Sequence, residues 1–230
     1  MSGKKKVDLK LDWCTHKAAS FACKHWHYTK RMPVNKTIKI GVWEDNKFIG
    51  CVVYGTSVSS NFQNKYNLER NEFCELARVA LRSHISEVTR IVSISLKMLK
   101  RSNPGIRLVV SFASPEENHL GIIYQAGNWI YTGTSSKRYE YFYKGRWKHS
   151  RRFEDDTLKD TSVGTLKKRK IHGKFRYLMP LDKQMRKQIE KLRKPYPKRL
   201  PSGEEECPSS SGGAIPTEPL HIKRQTLEKI

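Results

Sequence analysis

Residues 107–133 leave this chain few architectures. Arg107-Leu108-Val109-Val110-Ser111-Phe112-Ala113 is a near-continuous apolar run, the pattern of a strand covered on both faces. Residues 118–126 have helical spacing and put His119 and Tyr124 on one short helix. Gly127 stops that helix, and Trp129-Ile130-Tyr131-Thr132-Gly133 starts an aromatic strand. A strand, a short helix with a polar face and a second strand form a layout in which a tyrosine hydroxyl can face a cleft. That favours an enzyme over a plain binding module.

The preceding segments extend the pattern. Residues 11–28 read as a helix, with Trp13, Ala18, Phe21, Ala22 and His25 spaced for one face. Residues 37–43 and 48–54 are strands, and Asp45-Asn46-Lys47 between them predicts a hairpin. Residues 57–71 are polar and read as an irregular loop, and 73–81 as a strand. Residues 87–101 form an amphipathic helix with Val88, Ile91, Val92, Ser95, Leu96 and Leu99 on one face, stopped by Asn103-Pro104-Gly105. A hairpin followed by strand, helix, strand, helix and strand predicts an α/β protein with a mixed sheet and flanking helices. Residues 175–181 read as a short strand, and Asp182 caps a basic helix over 183–194. From Pro201 the composition is that of a disordered tail. The expected organisation is a catalytic core over residues 1–143, a basic extension packed on it over 144–200, and the tail over 201–230.

Charge points to the partner. The 230 residues hold 45 Lys and Arg against 22 Asp and Glu, a net +23. Residues 144–199 alone hold 20 basic and 6 acidic residues, so most of the excess sits in about a quarter of the chain. Such an imbalance promotes binding to polyanions and says little about fold, which makes nucleic acid the expected partner. Cys14, Cys23, Cys51, Cys74 and Cys207 form no C-x-x-C pair, as expected of reduced thiols. No apolar run is long enough to span a bilayer, so no membrane partner is expected and the location is read as cytoplasmic.

Ile123-Tyr124-Gln125-Ala126-Gly127-Asn128-Trp129 resembles the GNAT N-acetyltransferase superfamily, in which a tyrosine lies on the short helix after a splayed central strand, just before a glycine and an aromatic. The element order is similar too. A narrower resemblance, over residues 25–197, is to the phage Mom-type DNA-modification family. Its motifs are Glu75-Leu76-Ala77-Arg78, Leu108-Val109-Val110-Ser111-Phe112-Ala113, His119-Leu120-Gly121-Ile122-Ile123-Tyr124-Gln125-Ala126, Trp129-Ile130-Tyr131-Thr132-Gly133 and Arg176-Tyr177-Leu178-Met179-Pro180-Leu181-Asp182. The resemblance implies a GNAT-like fold with Tyr124 in the place of the superfamily's general acid. It also implies double-stranded DNA as substrate and conversion of adenine to N6-carbamoylmethyladenine, which shields phage DNA from restriction in the host cytoplasm.

The chain departs from the superfamily at one point. Acetyl-CoA users carry a glycine-rich turn after the central strand, whose backbone N–H groups hold the pyrophosphate. Here Leu81-Arg82-Ser83-His84-Ile85-Ser86-Glu87 holds no glycine. The family's product is also joined to nitrogen through a methylene carbon, so simple acyl transfer does not produce it. The donor is left unknown, and the missing turn argues against acetyl-CoA. The alternatives are an N-acyltransferase acting on protein or RNA amines and a non-catalytic DNA-binding protein. The oligomeric state is open, a dimer included.

Several residues are candidates for the chemistry. Tyr124 can give a proton, because a phenol stays protonated at neutral pH; its alternative is packing against Trp129. Ser111, at the end of a buried strand where ligands gather in open sheets, is a hydrogen-bond donor or relay, or a core serine. His119 caps the helix or lines the cleft. Glu75 and Arg78 lie three apart on a strand, so opposite faces are expected and one of them faces a given pocket, Glu75 as base or Arg78 as anion binder. His25, Trp26, His27 and Tyr28, with Trp129, read as a wall on which an extruded base stacks, or as a helix end packing its aromatics on the core. Cys23, His25 and His27 are close in sequence, but no second ligand pair has zinc-like spacing, so no metal is expected. Arg146, Lys148, Arg151, Arg152 and Arg176 are expected on DNA phosphates. Lys167, Lys168, Arg169 and Lys170 join them, unless they form a solvated loop.

Overall fold

In the computed structural model residues 7–56, 61–136, 138–149 and 165–198 are described. Asp45 and Asn46 have φ of 47° and 61°, the pair of left-handed residues that a two-residue hairpin turn needs to match strand twist. They join β2 (Thr37–Glu44) to β3 (Lys47–Gly55). β1 (Leu9–Trp13) pairs along the outer edge of β2, which corrects the reading of residues 11–28 as one helix. Leu9 and Leu11 alternate onto the core with period two, and α1 (His16–Trp26) begins only at Thr15, whose hydroxyl accepts the Ala18 amide at 3.2 Å. Trp13 and Phe21, expected on the helix's inner face, are about half exposed, and the buried side is Ala19, Ala22 and Cys23.

A short helix, α2 (Asn61–Tyr66), replaces the expected loop, because Phe62 and Tyr66 sit one turn apart with their rings at 4.4 Å and bury together. β4 (Phe73–Leu81), α3 (Val88–Ser102) and β5 (Leu108–Ala113) follow as expected. Ile91, Val92, Ser95, Leu96 and Leu99 form the buried face of α3. The expected helix over 118–126 is shorter: a 3-10 turn covers Pro115–Glu117 and α4 spans Ile122–Ala126, because Asn118 and Gly121 take left-handed backbone in between. β6 (Ile130–Thr134) comes next.

β7 (Arg138–Tyr143), β8 (Arg146–His149) and β9 (Lys168–Ile171) form a separate sheet in the order β8-β7-β9. Finally β10 (Phe175–Pro180) leads to α5 (Lys183–Glu190), capped by Asp182, whose carboxylate accepts the Met185 amide at 2.6 Å. The main sheet has the order β1-β2-β3-β4-β5-β10-β6, parallel only between β4 and β5. The expected mixed sheet with flanking helices is thus present, with β10 between β5 and β6. Arg151, Arg152 and residues 201–230 lie outside the described residues.

Side chains alternate through this sheet into two layers. Val52, Tyr54, Cys74, Leu76, Val109 and Tyr177 point to the α3 and α4 side. On the other side Cys51, Val53 and Ala80 pack under α1, and Leu108, Val110, Ile130 and Leu178 pack under α2 and α5. No helix among the described residues is long and apolar enough to cross a membrane.

Candidate active site

β4 and β5 pair only from Phe73 opposite Leu108 to Glu75 opposite Val110, and then part. The Leu76 carbonyl, where the next rung would lie, accepts the Ser111 hydroxyl instead at 2.9 Å. A cleft of about 1240 Å³ opens at this splay. Single small-molecule sites run to roughly 300–1,000 Å³, so there is room for two reactants.

Glu75 and Arg78 both line this cleft, which corrects the expectation of opposite faces. Tyr54 pairs with Leu76 and Val53 with Arg78, so Ala77 is an extra residue, a β-bulge. With Ala77 bulged out, the two side chains are in effect two positions apart and share a face. The Arg78 guanidinium donates to the Ala77 carbonyl at 2.6 Å and the Arg31 carbonyl at 3.3 Å.

Tyr124 lines the cleft with its hydroxyl 2.8 Å from that of Ser111. Ser111 has one proton and the Leu76 carbonyl can only accept, so while Ser111 serves that carbonyl the Tyr124 hydroxyl donates to Ser111. Burial pushes the phenol up to about 12, against the lowering effect of Ser111, so it stays protonated. Its ring also packs at 5.1 Å on Trp129, the packing expected as the alternative reading of Tyr124. Trp129 itself is 1% exposed and does not line the cleft; it backs Tyr124.

Tyr177 of β10 is the residue that sequence reasoning missed. It is fully buried, and its ring lies 5.1 Å from that of Tyr124. Its hydroxyl donates to the Leu120 carbonyl and accepts Gln125 Nε2 at 3.2 Å, which ties α4 to β10. Gly121, with φ of 77°, is where this contact is tightest: a Cβ there would stand 2.4 Å from the Tyr177 ring. The motif around residue 177 was visible in sequence, but the neighbour it would find was not.

The opposite wall is the end of α1. Trp26, His27 and Tyr28 line it, and Tyr28 meets His119, another lining residue, edge-on at 5.2 Å. His25 turns away and stacks on Phe21 at 4.4 Å, while Cys23 is buried with Cys51, so Cys23, His25 and His27 do not converge. His27 Nδ1 accepts the Thr29 amide at 3.1 Å, which leaves the neutral ring's proton on Nε2. Burial, then Arg78, His119, Lys174 and Lys30, push His27 down to about 4, so it is neutral near pH 7. Arg31, Lys174 and Arg176 also line the cleft. Arg176 is anchored to β6 by hydrogen bonds to the Thr132 hydroxyl at 2.9 Å and carbonyl at 3.2 Å.

The remaining DNA candidates among the described residues lie on or beside the second sheet. Residues 168–170 form β9 rather than a loop, and Lys167 precedes it, its carbonyl accepting the Phe142 amide at 2.8 Å. Arg169 pairs with Glu140 at 2.7 Å and lies 4.5 Å from the centre of the Trp147 ring. Lys168 and Lys170 are exposed, and Arg146 and Lys148 lie on β8.

A family model described as the Mom protein family matches residues 8–198. The methylcarbamoylase Mom of Escherichia phage Mu is 28% identical over 185 residues, covering 75% of this chain and 76% of that protein. Similar solved structures include a Bacillus subtilis acetyltransferase in complex with CoA, 10% identical over 77% of this chain and 100% of that one, with a TM-score of 0.45. Another is spermidine N-acetyltransferase from Vibrio cholerae in complex with CoA and spermine, 10% identical over 75% of this chain and 95% of that one, with a TM-score of 0.43.

Proposed function

This chain belongs to the Mom protein family, and from that premise we propose that it is a DNA-modifying transferase that converts adenine to N6-carbamoylmethyladenine. The observation that carries the reading is the splay itself. One cleft of about 1240 Å³ gathers a protonated phenol, a carboxylate, an aromatic wall and several cations. The methylcarbamoylase name of the phage Mu relative supports the chemistry.

Adenine N6 is inside a duplex, so reaching it means extruding the base, at a cost of a few kcal/mol for a paired one. Tyr28 and His119 supply an edge-to-face pair against which such a base can lie, and the His27 Nε2–H is a donor for its ring nitrogens. His27 is not the base: its Nδ1 is already accepting a hydrogen bond and its pKa is low. Glu75, the carboxylate that β4 brings to this cleft, takes the proton that N6 loses as its bond to the methylene carbon forms. Tyr124, backed by Ser111, gives a proton to the group that leaves that carbon. Arg31, Arg78, Lys174 and Arg176 draw the phosphate backbone toward the cleft mouth.

The test is to express the chain, digest total DNA to nucleosides and search for a heavier deoxyadenosine by mass spectrometry. It is expected with the wild type and lost in Tyr124→Phe, whose stability should change by only about 0.5–1.5 kcal/mol, the worth of one hydrogen bond. Unmodified adenine from cells holding soluble wild-type protein would refute the proposal. Full modification by Tyr124→Phe would remove Tyr124 from it.

A further inference from the structure

Glu44, the last residue of β2, has 7% of its surface exposed. Its carboxylate reaches the turn between β4 and α3. There Oε1 accepts the Ser86 amide at 2.6 Å, and both oxygens accept the Ile85 amide, at 3.2 and 3.0 Å. Two successive backbone N–H groups, next to the start of α3, thus converge on one anion. Burial by itself would raise the Glu44 pKa, but hydrogen bonds from Ser86 and Ile85 hold it below the ordinary glutamate value, so it is charged. Glu87, the N-cap residue of α3, adds a second carboxylate at this end of the helix.

Amides at a helix start attract anions, and a pyrophosphate is the anion that a GNAT-like fold implies at this turn. The residues present do not fit that group. The Ile85 and Ser86 amides are already used, the occupant is negatively charged and nearly buried, and no glycine lets a phosphate approach the backbone more closely. A phosphate arriving here would have to displace Glu44, leave that carboxylate without its hydrogen bonds and meet it as a like charge.

We propose that Glu44 is a built-in anion standing where a nucleotide donor's pyrophosphate would sit, and that it determines donor specificity by excluding donors carried on coenzyme A. The inference rests on the transferase reading only in speaking of a donor. The donor that remains is one that needs no diphosphate at this turn.

The experiment is calorimetric titration of inorganic pyrophosphate and of CoA into the full chain, its Glu44→Ala and Glu44→Gln variants, and the double variant Glu44→Ala, Ser86→Pro, which lacks one of the two amides. The wild type is expected to bind CoA no more tightly than the double variant does. Glu44→Ala is expected to gain affinity for both ligands by about tenfold or more, with Glu44→Gln in between and the gain lost in the double variant. If Glu44→Ala does not fold, Glu44→Gln against wild type carries the comparison. CoA binding to the wild type that Glu44→Ala does not strengthen, no gain in either variant, or a gain that survives Ser86→Pro would each overturn the proposal. None of these outcomes depends on whether adenine is modified, so failure here is separable from failure of the proposed function.

Discussion

His27 is the residue whose surroundings make the sharpest statement about pH. Its folded pKa of about 4 lies below the ordinary 6.5. Between those values the unfolded chain binds a proton that the folded chain does not, so stability rises with pH across the window. The contribution is complete above about pH 6.5 and is lost as the pH falls toward 4. His27→Gln removes the group, and the expected result is a flatter plot of urea midpoint against pH over that interval than the wild type gives. Equal slopes would assign the acid sensitivity to other groups. Much at this scale was legible in the sequence: Trp26, His27, Tyr28, Glu75, Arg78, His119, Tyr124 and Arg176 do line one cleft. What was not legible was the hydrogen bonding that decides roles. The Thr29 amide on Nδ1, which turns His27 from a base into a donor, follows from a turn geometry that residue types alone do not fix.

Elements were legible where local chemistry sets them. Asp45-Asn46 marks its hairpin and Asp182 its helix, because left-handed turn residues and a carboxylate N-cap act over a few positions. Elements whose partners are distant were not. β1 runs into α1 in the sequence pattern, since Leu9, Leu11 and Trp13 are too few to separate period two from the helical spacing that follows. The bulge at Ala77 is invisible without β3 beside it, and so was the shared face of Glu75 and Arg78. The contact of α4 with β10 belongs to this scale and has its own test. Gly121→Ala puts a Cβ 2.4 Å from the Tyr177 ring on left-handed backbone. It should cost roughly 1–3 kcal/mol in a denaturant melt, by overpacking, and lower the yield of modified adenine by displacing Tyr124. A variant as stable and as active as the wild type would show that α4 is not held by this contact.

Across the whole molecule, a net charge of +23 joins the cleft to the second sheet in one expectation about DNA. Each phosphate neutralised contributes about 0.9 to the slope of log affinity against log salt. Lys168→Ala with Lys170→Ala, on the exposed strand β9, is expected to lower that slope by about two, measured by fluorescence anisotropy on a DNA duplex over a range of salt. Arg169, already held by Glu140 and Trp147, is expected to change it less. Identical slopes for the wild type and the double variant would take β9 off the DNA.

The placement of β10 has a consequence for how the chain comes to life. During synthesis β5 and β6 leave the ribosome well before Phe175–Pro180 does, yet they have no common neighbour until that strand threads between them. Until then the slot offers two unpaired edges and the apolar flanks of Val110 and Ile130. Such long-range pairing is slow, and it leaves the nascent protein dependent on β10 for protection from aggregation. The backing that Tyr177 gives Tyr124 is therefore laid only after β5 and β6 have both been made, and the cleft takes its shape when that strand arrives.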